Sequence, residues 1–302
     1  MNAIDINQVT KSYGSHRAVD GLSLQVPTGS IYGFIGPNGS GKTTTLRMIM
    51  RILFADSGHI RVLSEENFDA ANDRIGYLPE ERGLYKKMKV RDLLVFFANL
   101  KGCRESRKQA NQWLEKLSLA EWANKPVDAL SKGMAQKVQF ISAVVARPEL
   151  LILDEPFTGL DPVNADLLKD AVIELREQGT TILFSTHDME VAEKMCDFIC
   201  MVFRGRKVLD GTLESIQGEY GNDVIRVRVD GDNNASKFGQ LTGVQQVNDF
   251  GRLQELRIDP EADTQQVLSE LMSLGRVKQF ELVRPRLRDI FMRIAGPEAS
   301  DQ

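Results

Sequence analysis

Gly36-Pro37-Asn38-Gly39-Ser40-Gly41-Lys42-Thr43 follows the apolar run Ile31–Ile35 and precedes a helical pattern over Thr44–Ile52. The octet fits G-x-x-x-x-G-K-[ST] with a strand before it and a helix after it, the context that gives the pattern its meaning. Glycines let successive backbone N–H groups point into one concavity, and the start of a helix adds partial positive charge. The loop from Gly36 to Thr44, with Pro37, Asn38, Gly39, Ser40, Gly41, Lys42 and Thr43 between, is therefore read as a polyphosphate cradle. Lys42 is expected to reach the β- and γ-phosphates of a nucleoside triphosphate, and the Thr43 hydroxyl to ligate Mg2+. An ordinary Gly-rich turn is the poorer reading before this context is counted, and poorer still after it.

A second stretch supplies carboxylates. Leu150-Leu151-Ile152-Leu153 reads as a buried strand ending in Asp154-Glu155. Its C-terminal end falls at the sheet edge where the phosphate loop opens, the place where open α/β sheets bind ligands. Adjacent strand residues point to opposite sides, so the two acids are expected to divide the work. Asp154 is read as a Mg2+ ligand acting through water, and Glu155 as the base that polarises the attacking water.

The 302 residues are 42% hydrophobic and 26% charged, an ordinary globular composition that excludes disordered, collagen-like and coiled-coil chains. Lys plus Arg number 38 against 42 Asp plus Glu, and the formal charge of −4 argues against a dedicated nucleic-acid binder. Cys103, Cys196 and Cys200 are too few for a disulfide framework and are expected to be reduced cytosolic thiols. No stretch approaches the ~18 consecutive apolar residues of a membrane span, and the N-terminus does not read as a signal peptide.

Residues 1–217 and 218–302 read as two domains. In the first, the short runs Ile31–Ile35, Leu150–Leu153 and Thr181–Phe184 suit buried parallel strands, whereas Ile4–Val9, Ala18–Val26 and Ser57–Leu63 suit an antiparallel sheet. Between them, about 81–147 turns helical: Val90–Lys101, Arg104–Leu117 and Gln136–Ala146. After Gly218 the pattern resets to a strand over Val224–Val229 and a turn at Gly231-Asp232-Asn233-Asn234. Further strands are expected near 244–249, 253–258 and 277–283, and helices over Ala262–Leu274 and Arg286–Ile294. That order permits a small ferredoxin-like α+β domain. The fold class is thus α/β, a mixed sheet with an N-terminal antiparallel part and a helical subdomain, plus a small C-terminal α+β domain.

Residues 2–217 resemble the ATP-binding subunits of ABC transporters, the nucleotide-binding domains of the P-loop NTPase class. Leu130-Ser131-Lys132-Gly133-Met134-Ala135-Gln136 is similar to that family's LSGGQ-type signature, departing from it at Lys132 and Met134. Pro156-Phe157-Thr158-Gly159-Leu160-Asp161-Pro162 is similar to its D-loop, and Phe184-Ser185-Thr186-His187-Asp188 ends a strand with a histidine. The resemblance implies that His187 contacts the γ-phosphate and that Tyr13 stacks on adenine. It also implies that Ser131, Gly133 and Asp161 act across a head-to-tail dimer of two nucleotide-binding domains. Ile75-Gly76-Tyr77-Leu78-Pro79-Glu80 resembles the loop where the family carries Gln. Glu80 at that place can ligate Mg2+, but it cannot donate a hydrogen bond when ionised.

The phrase Leu78-Pro79-Glu80-Glu81-Arg82-Gly83-Leu84-Tyr85 resembles ATPases of the sodium-efflux (Nat-like) and drug-efflux group, which also carry a short C-terminal domain. The implied protein hydrolyses Mg-ATP and powers export through a separate membrane permease, on whose cytoplasmic side it sits as a dimer. No nucleic-acid partner is expected. The alternative is a soluble ATPase of this type that acts as a regulatory switch without transport. Gly83–Val90 would lie near the groove that receives the permease.

Overall fold

A computed structural model describes residues 1–64, 72–81, 83–221, 224–230, 235–259 and 261–296. The chain divides into two compact units, Met1–Thr212 and Leu213–Gln302.

The strands of the first unit are β1 (Asn2–Tyr13), β2 (His16–Pro27), β3 (Ile31–Ile35), β4 (Ser57–Val62), β5 (Ile75–Leu78), β6 (Leu150–Asp154), β7 (Thr181–Thr186), β8 (Phe198–Phe203) and β9 (Arg206–Gly211). Its helices are α1 (Lys42–Ile49), α2 (Val90–Leu100), α3 (Ser106–Lys116), α4 (Lys132–Val144), α5 (Pro162–Glu177) and α6 (Met189–Met195). One sheet is antiparallel, ordered β2-β1-β4; the other has six strands ordered β5-β6-β7-β3-β8-β9, parallel but for β9.

Alternation along the central strands explains the layering. On β6, Leu150 and Ile152 join a core with Ile4, Ile6, Leu22 and Leu24 of the antiparallel sheet. Leu151 and Leu153 point the other way, into a core with Leu93, Trp113, Val138 and Phe140 of the helical block. A strand buried on both faces must be apolar at every position, which is why β3, β6 and β7 read as unbroken runs.

The mixed α/β architecture expected from the sequence is what the chain adopts. Three strands were not legible as such: β5, at four residues, and the β8–β9 hairpin. Helix α1 starts at Lys42 rather than Thr44, because Gly41 in a left-handed conformation turns the chain directly into it. Helix α4 starts at Lys132, because the Ser131 side chain accepts from the Met134 N–H and caps it.

The second unit comprises α7 (Leu213–Glu219), β10 (Val224–Asp230), α8 (Ala235–Phe238), β11 (Val244–Asp249), β12 (Gln254–Ile258), α9 (Thr264–Leu274), β13 (Arg276–Val283) and α10 (Leu287–Ala295). Its sheet is antiparallel throughout, ordered β11-β12-β10-β13. From β10 to β13 this is a βαββαβ chain path with the two central strands first and third in sequence. Ile225, Val227, Leu256 and Ile258 pack with Phe238, Val267 and Leu271 into a core of its own. Helix α9 begins at Thr264, since Asp263 caps it through the Gln265 N–H. The turn read at Gly231–Asn234 lies outside the described residues, as does Arg82. Among the described residues no helix is long and apolar enough to cross a membrane.

Candidate functional site

Three adjacent parallel strands end at one edge and deliver the site. Ile35 of β3 pairs with Thr186 of β7, and Asp154 of β6 pairs with Ser185. Gly36, Asp154-Glu155 and His187 therefore leave the sheet side by side, without long-range folding of any loop.

The phosphate loop wraps tightly because its backbone is hemmed in. At Gly41, φ is +102° and a Cβ would lie 2.4 Å from the Ala18 carbonyl oxygen, so only glycine fits between the loop and β2. Gly205 N–H donates to the Ser40 carbonyl at 3.1 Å, tying the β8–β9 turn to the loop. Lys42 is buried, and its Nζ donates to the Gly36 and Pro37 carbonyls at 2.7 and 3.1 Å. Burial pushes its pKa down, while the nearby Glu155, Asp154 and Glu80 carboxylates push it up. An ammonium held by two carbonyls at the mouth of a cradle is poised to exchange them for phosphate oxygens.

Asp154 is fully buried, and desolvation raises its carboxyl above the ordinary range. The Ser185 hydroxyl donates to its Oδ1, opposing that rise, and Thr43 Oγ1 lies 3.4 Å from the same oxygen. Among the described residues its other oxygen, Oδ2, has no partner, and neither has the buried Ser40 Oγ. Buried polar atoms are rarely left so. Two orphans beside one loop mark a place built for a ligand.

Glu155 corrects an expectation. Strand alternation was to separate it from Asp154, but β6 ends at Asp154, and Glu155 sits beyond it with φ at +49°. The strained turn, held by Glu155 N–H donating to the Ser185 carbonyl at 3.1 Å, swings the side chain away. Its Oε1 lies 2.9 Å from His187 Nδ1 and 3.9 Å from Lys42 Nζ. Its Oε2 accepts from Thr158 at 3.2 Å and from Thr186 at 3.4 Å.

Lys42, Thr43, Asp154, Glu155 and His187 thus converge. Glu80, two residues past β5, is exposed, and its charge reaches Lys42. Tyr13 ends β1 half exposed, with Lys11 Nζ 5.9 Å from its ring centre. Ser131 and Asp161 cap α4 and α5, spending their hydrogen bonds within their own turns. Those two turns adjoin: a Cβ on Gly133 would meet Leu160 at 3.5 Å, and one on Gly159 would meet Lys132 at 3.3 Å. Ser185, Thr186 and Thr158 escaped the sequence reading, although polar residues closing an apolar strand beside Asp154 were a usable signal.

Mg2+ prefers hard oxygen ligands and keeps water and phosphate among them. The Thr43 hydroxyl and the unpartnered Asp154 oxygen suit that preference. Among the described residues no three His, Cys, Asp or Glu side chains form a cage of their own.

A phosphate loop at the end of β3, paired acids at the end of β6 and a histidine at the end of β7 define an ABC-type ATPase. Residues 19–158 match the family model described as ABC transporter, and residues 211–295 match that of the C-terminal domain of DrrA1-3-like ATP-binding proteins. An uncharacterized ABC transporter ATP-binding protein of Bacillus subtilis (strain 168), YhaQ, is 45% identical over 97% of this chain and 98% of its own length. The Nod factor export ATP-binding protein I of Burkholderia orbicola (strain AU 1054) is 35% identical over 99% and 98%, respectively. The daunorubicin resistance ATP-binding protein DrrA3 of Streptomyces coeruleorubidus is 34% identical over 98% and 96%. A solved ATP-binding subunit of an ABC transporter superposes with a TM-score of 0.68 at 28% identity, covering 72% of this chain and 93% of the other. The chain belongs to the ATP-binding subunits of ABC transporters, a family whose activity is ATP hydrolysis.

Proposed function

We propose that Mg-ATP hydrolysis at this site drives export through a separately encoded membrane permease, with two copies of the chain closing on two nucleotides. The carrying observation is the position of Glu155, held by Thr158, Thr186 and His187 within 3.9 Å of the Lys42 ammonium. Gly36–Thr44 binds the triphosphate and Lys42 neutralises its β- and γ-oxygens. Thr43 and Asp154 would hold Mg2+, with Glu80 as a further oxygen ligand. Bound there, the ion supplies Lewis-acid neutralisation of the phosphates. Glu155 accepts the proton of the attacking water, and His187 orients that carboxylate and meets the γ-phosphate. Tyr13 stacks on the base. In a closed dimer, Ser131, Gly133 and Asp161 serve the nucleotide held by the other copy, and the exposed start of α4, capped by a neutral hydroxyl, favours anion binding there.

Export is supported by the two relatives named for Nod factor export and for daunorubicin resistance. A surface for the permease is supported by the exposed Tyr85, whose ring lies 5.9 Å from that of Phe96 beside the basic Lys86-Lys87-Met88-Lys89. Attachment to that partner would hold the protein on the cytoplasmic face of the membrane. Residues 1–217 are assigned the hydrolytic site, and residues 218–302 form a separate C-terminal domain outside it.

The test is Glu155→Gln. ATP affinity is expected within about twofold of the parent, turnover to fall by a factor on the order of 10³, and an ATP-bound dimer to accumulate on sizing columns. Steady-state hydrolysis at the parental rate contradicts the reading.

A further inference from the structure

Helix α4 carries two buried glutamines one turn apart, in a stretch packed between the sheet and the other helices of the helical block. Gln136 Nε2 donates at 3.3 Å to the carbonyl of Pro156, the residue after Glu155. Gln139 Nε2 donates at 3.2 Å to the carbonyl of Pro79 and at 3.2 Å to that of Glu81, the residues on either side of Glu80. Gln139 is 3% exposed, and its Oε1 has no partner among the described residues.

The orphan oxygen makes the arrangement informative. A buried amide oxygen left unpaired is costly, because it gives up its bonds to water for nothing. Turning the amide over would face that oxygen toward two carbonyls that have nothing to donate, so the donor end is committed to the Glu80 loop. A helix interior that needed only packing would hold an aliphatic side chain of similar volume instead. β5 ends at Leu78, so no strand pairing steadies the loop at that point.

We infer that Gln139 is a positioning residue: it clamps the Glu80 loop to the helix that begins at Ser131, so that loop and helix start move as one body. The span between Ser131 and Gln139 is eight residues, about 12 Å of rigid helix. A change at the Ser131 turn is thereby passed to Glu80, while Gln136 holds the same helix to the Glu155 turn. The kinetic half of this inference rests on the proposed role of Glu80; the clamp itself does not.

The experiment compares the full chain with Gln139→Leu, Glu80→Ala and the double variant. Hydrogen exchange at the Leu78, Glu80 and Glu81 amides is expected to speed up about tenfold in nucleotide-free Gln139→Leu, with Gln136 unchanged. ATP affinity should stay within about twofold while kcat drops roughly tenfold, and Glu80→Ala should absorb that drop, so that the double variant is no slower than Glu80→Ala. Unaltered exchange at the loop, or kcat losses that multiply in the double variant, would overturn the inference. Faster exchange with kcat unmoved in all three variants supports the clamp and instead overturns the hydrolytic role given to Glu80.

Discussion

Gly41→Ala tests whether the cradle's shape, rather than its composition, binds phosphate. The added Cβ would lie 2.4 Å from the Ala18 carbonyl oxygen and 3.3 Å from Val19 Cγ2. Ordinary contact needs roughly 3.4 Å, so the loop or β2 must yield by about 1 Å. The left-handed φ of +102° adds about 1–2 kcal/mol for any L side chain. Overpacking adds about 1–3 kcal/mol, for a total of about 2–5 kcal/mol. At about 2–4 °C per kcal/mol, Tm should fall by about 4–20 °C. If the loop yields instead, one or two N–H groups lose the phosphate, each such charged hydrogen bond contributing about 1.5–3 kcal/mol, and ATP affinity drops at least tenfold. Gly102→Asn is the control, because it lies outside the loop, nothing among the described residues lies within 4 Å of a Cβ there, and Asn tolerates its φ of +70°. Calorimetric titration with ATP and thermal unfolding read both variants. Parental affinity together with parental Tm in Gly41→Ala would refute the reasoning.

Asp154→Asn should separate stability from chemistry. Burial raises the Asp154 pKa above its unfolded value of 3.8. Its contribution to stability is therefore complete below pH 3.8 and is lost as pH rises through the folded value, leaving a cost at neutrality. The variant's Tm minus the parent's should grow as pH is raised from about 4 to 7 without nucleotide, while Mg2+-dependent turnover disappears. Parallel Tm profiles would contradict that sign. A chain ending at Thr212, the boundary between the units, should unfold cooperatively and bind ATP within about twofold of the parent. Loss of cooperative unfolding would show that the first unit depends on the second.

Much of this was legible because the informative residues are local. A phosphate loop is eight consecutive residues, and its strand and helix flank it directly. The double burial of β6 shows as four aliphatics in a row, with the acids at the place where the run ends. What escaped reading is set by contacts across the chain. Thr158 and Thr186 matter only because Glu155 turns back between them, and that turn depends on a positive φ that no side chain announces. Gln139 reads as a polar residue in an apolar helix until β5 brings the Glu80 loop beneath it. β9 hid because it closes the sheet as an edge strand, and of Arg206–Gly211 only Leu209 is buried.

The most direct test of the whole account is a structure of the chain bound to Mg2+ and a non-hydrolysable ATP analogue. The account predicts the β- and γ-phosphates inside the Gly36–Thr44 loop with Lys42 Nζ on their oxygens, Mg2+ beside Thr43 and Asp154, and the Glu155 carboxylate facing the γ-phosphorus through one water. Nucleotide bound elsewhere, or Glu155 turned away from that phosphorus, would contradict it.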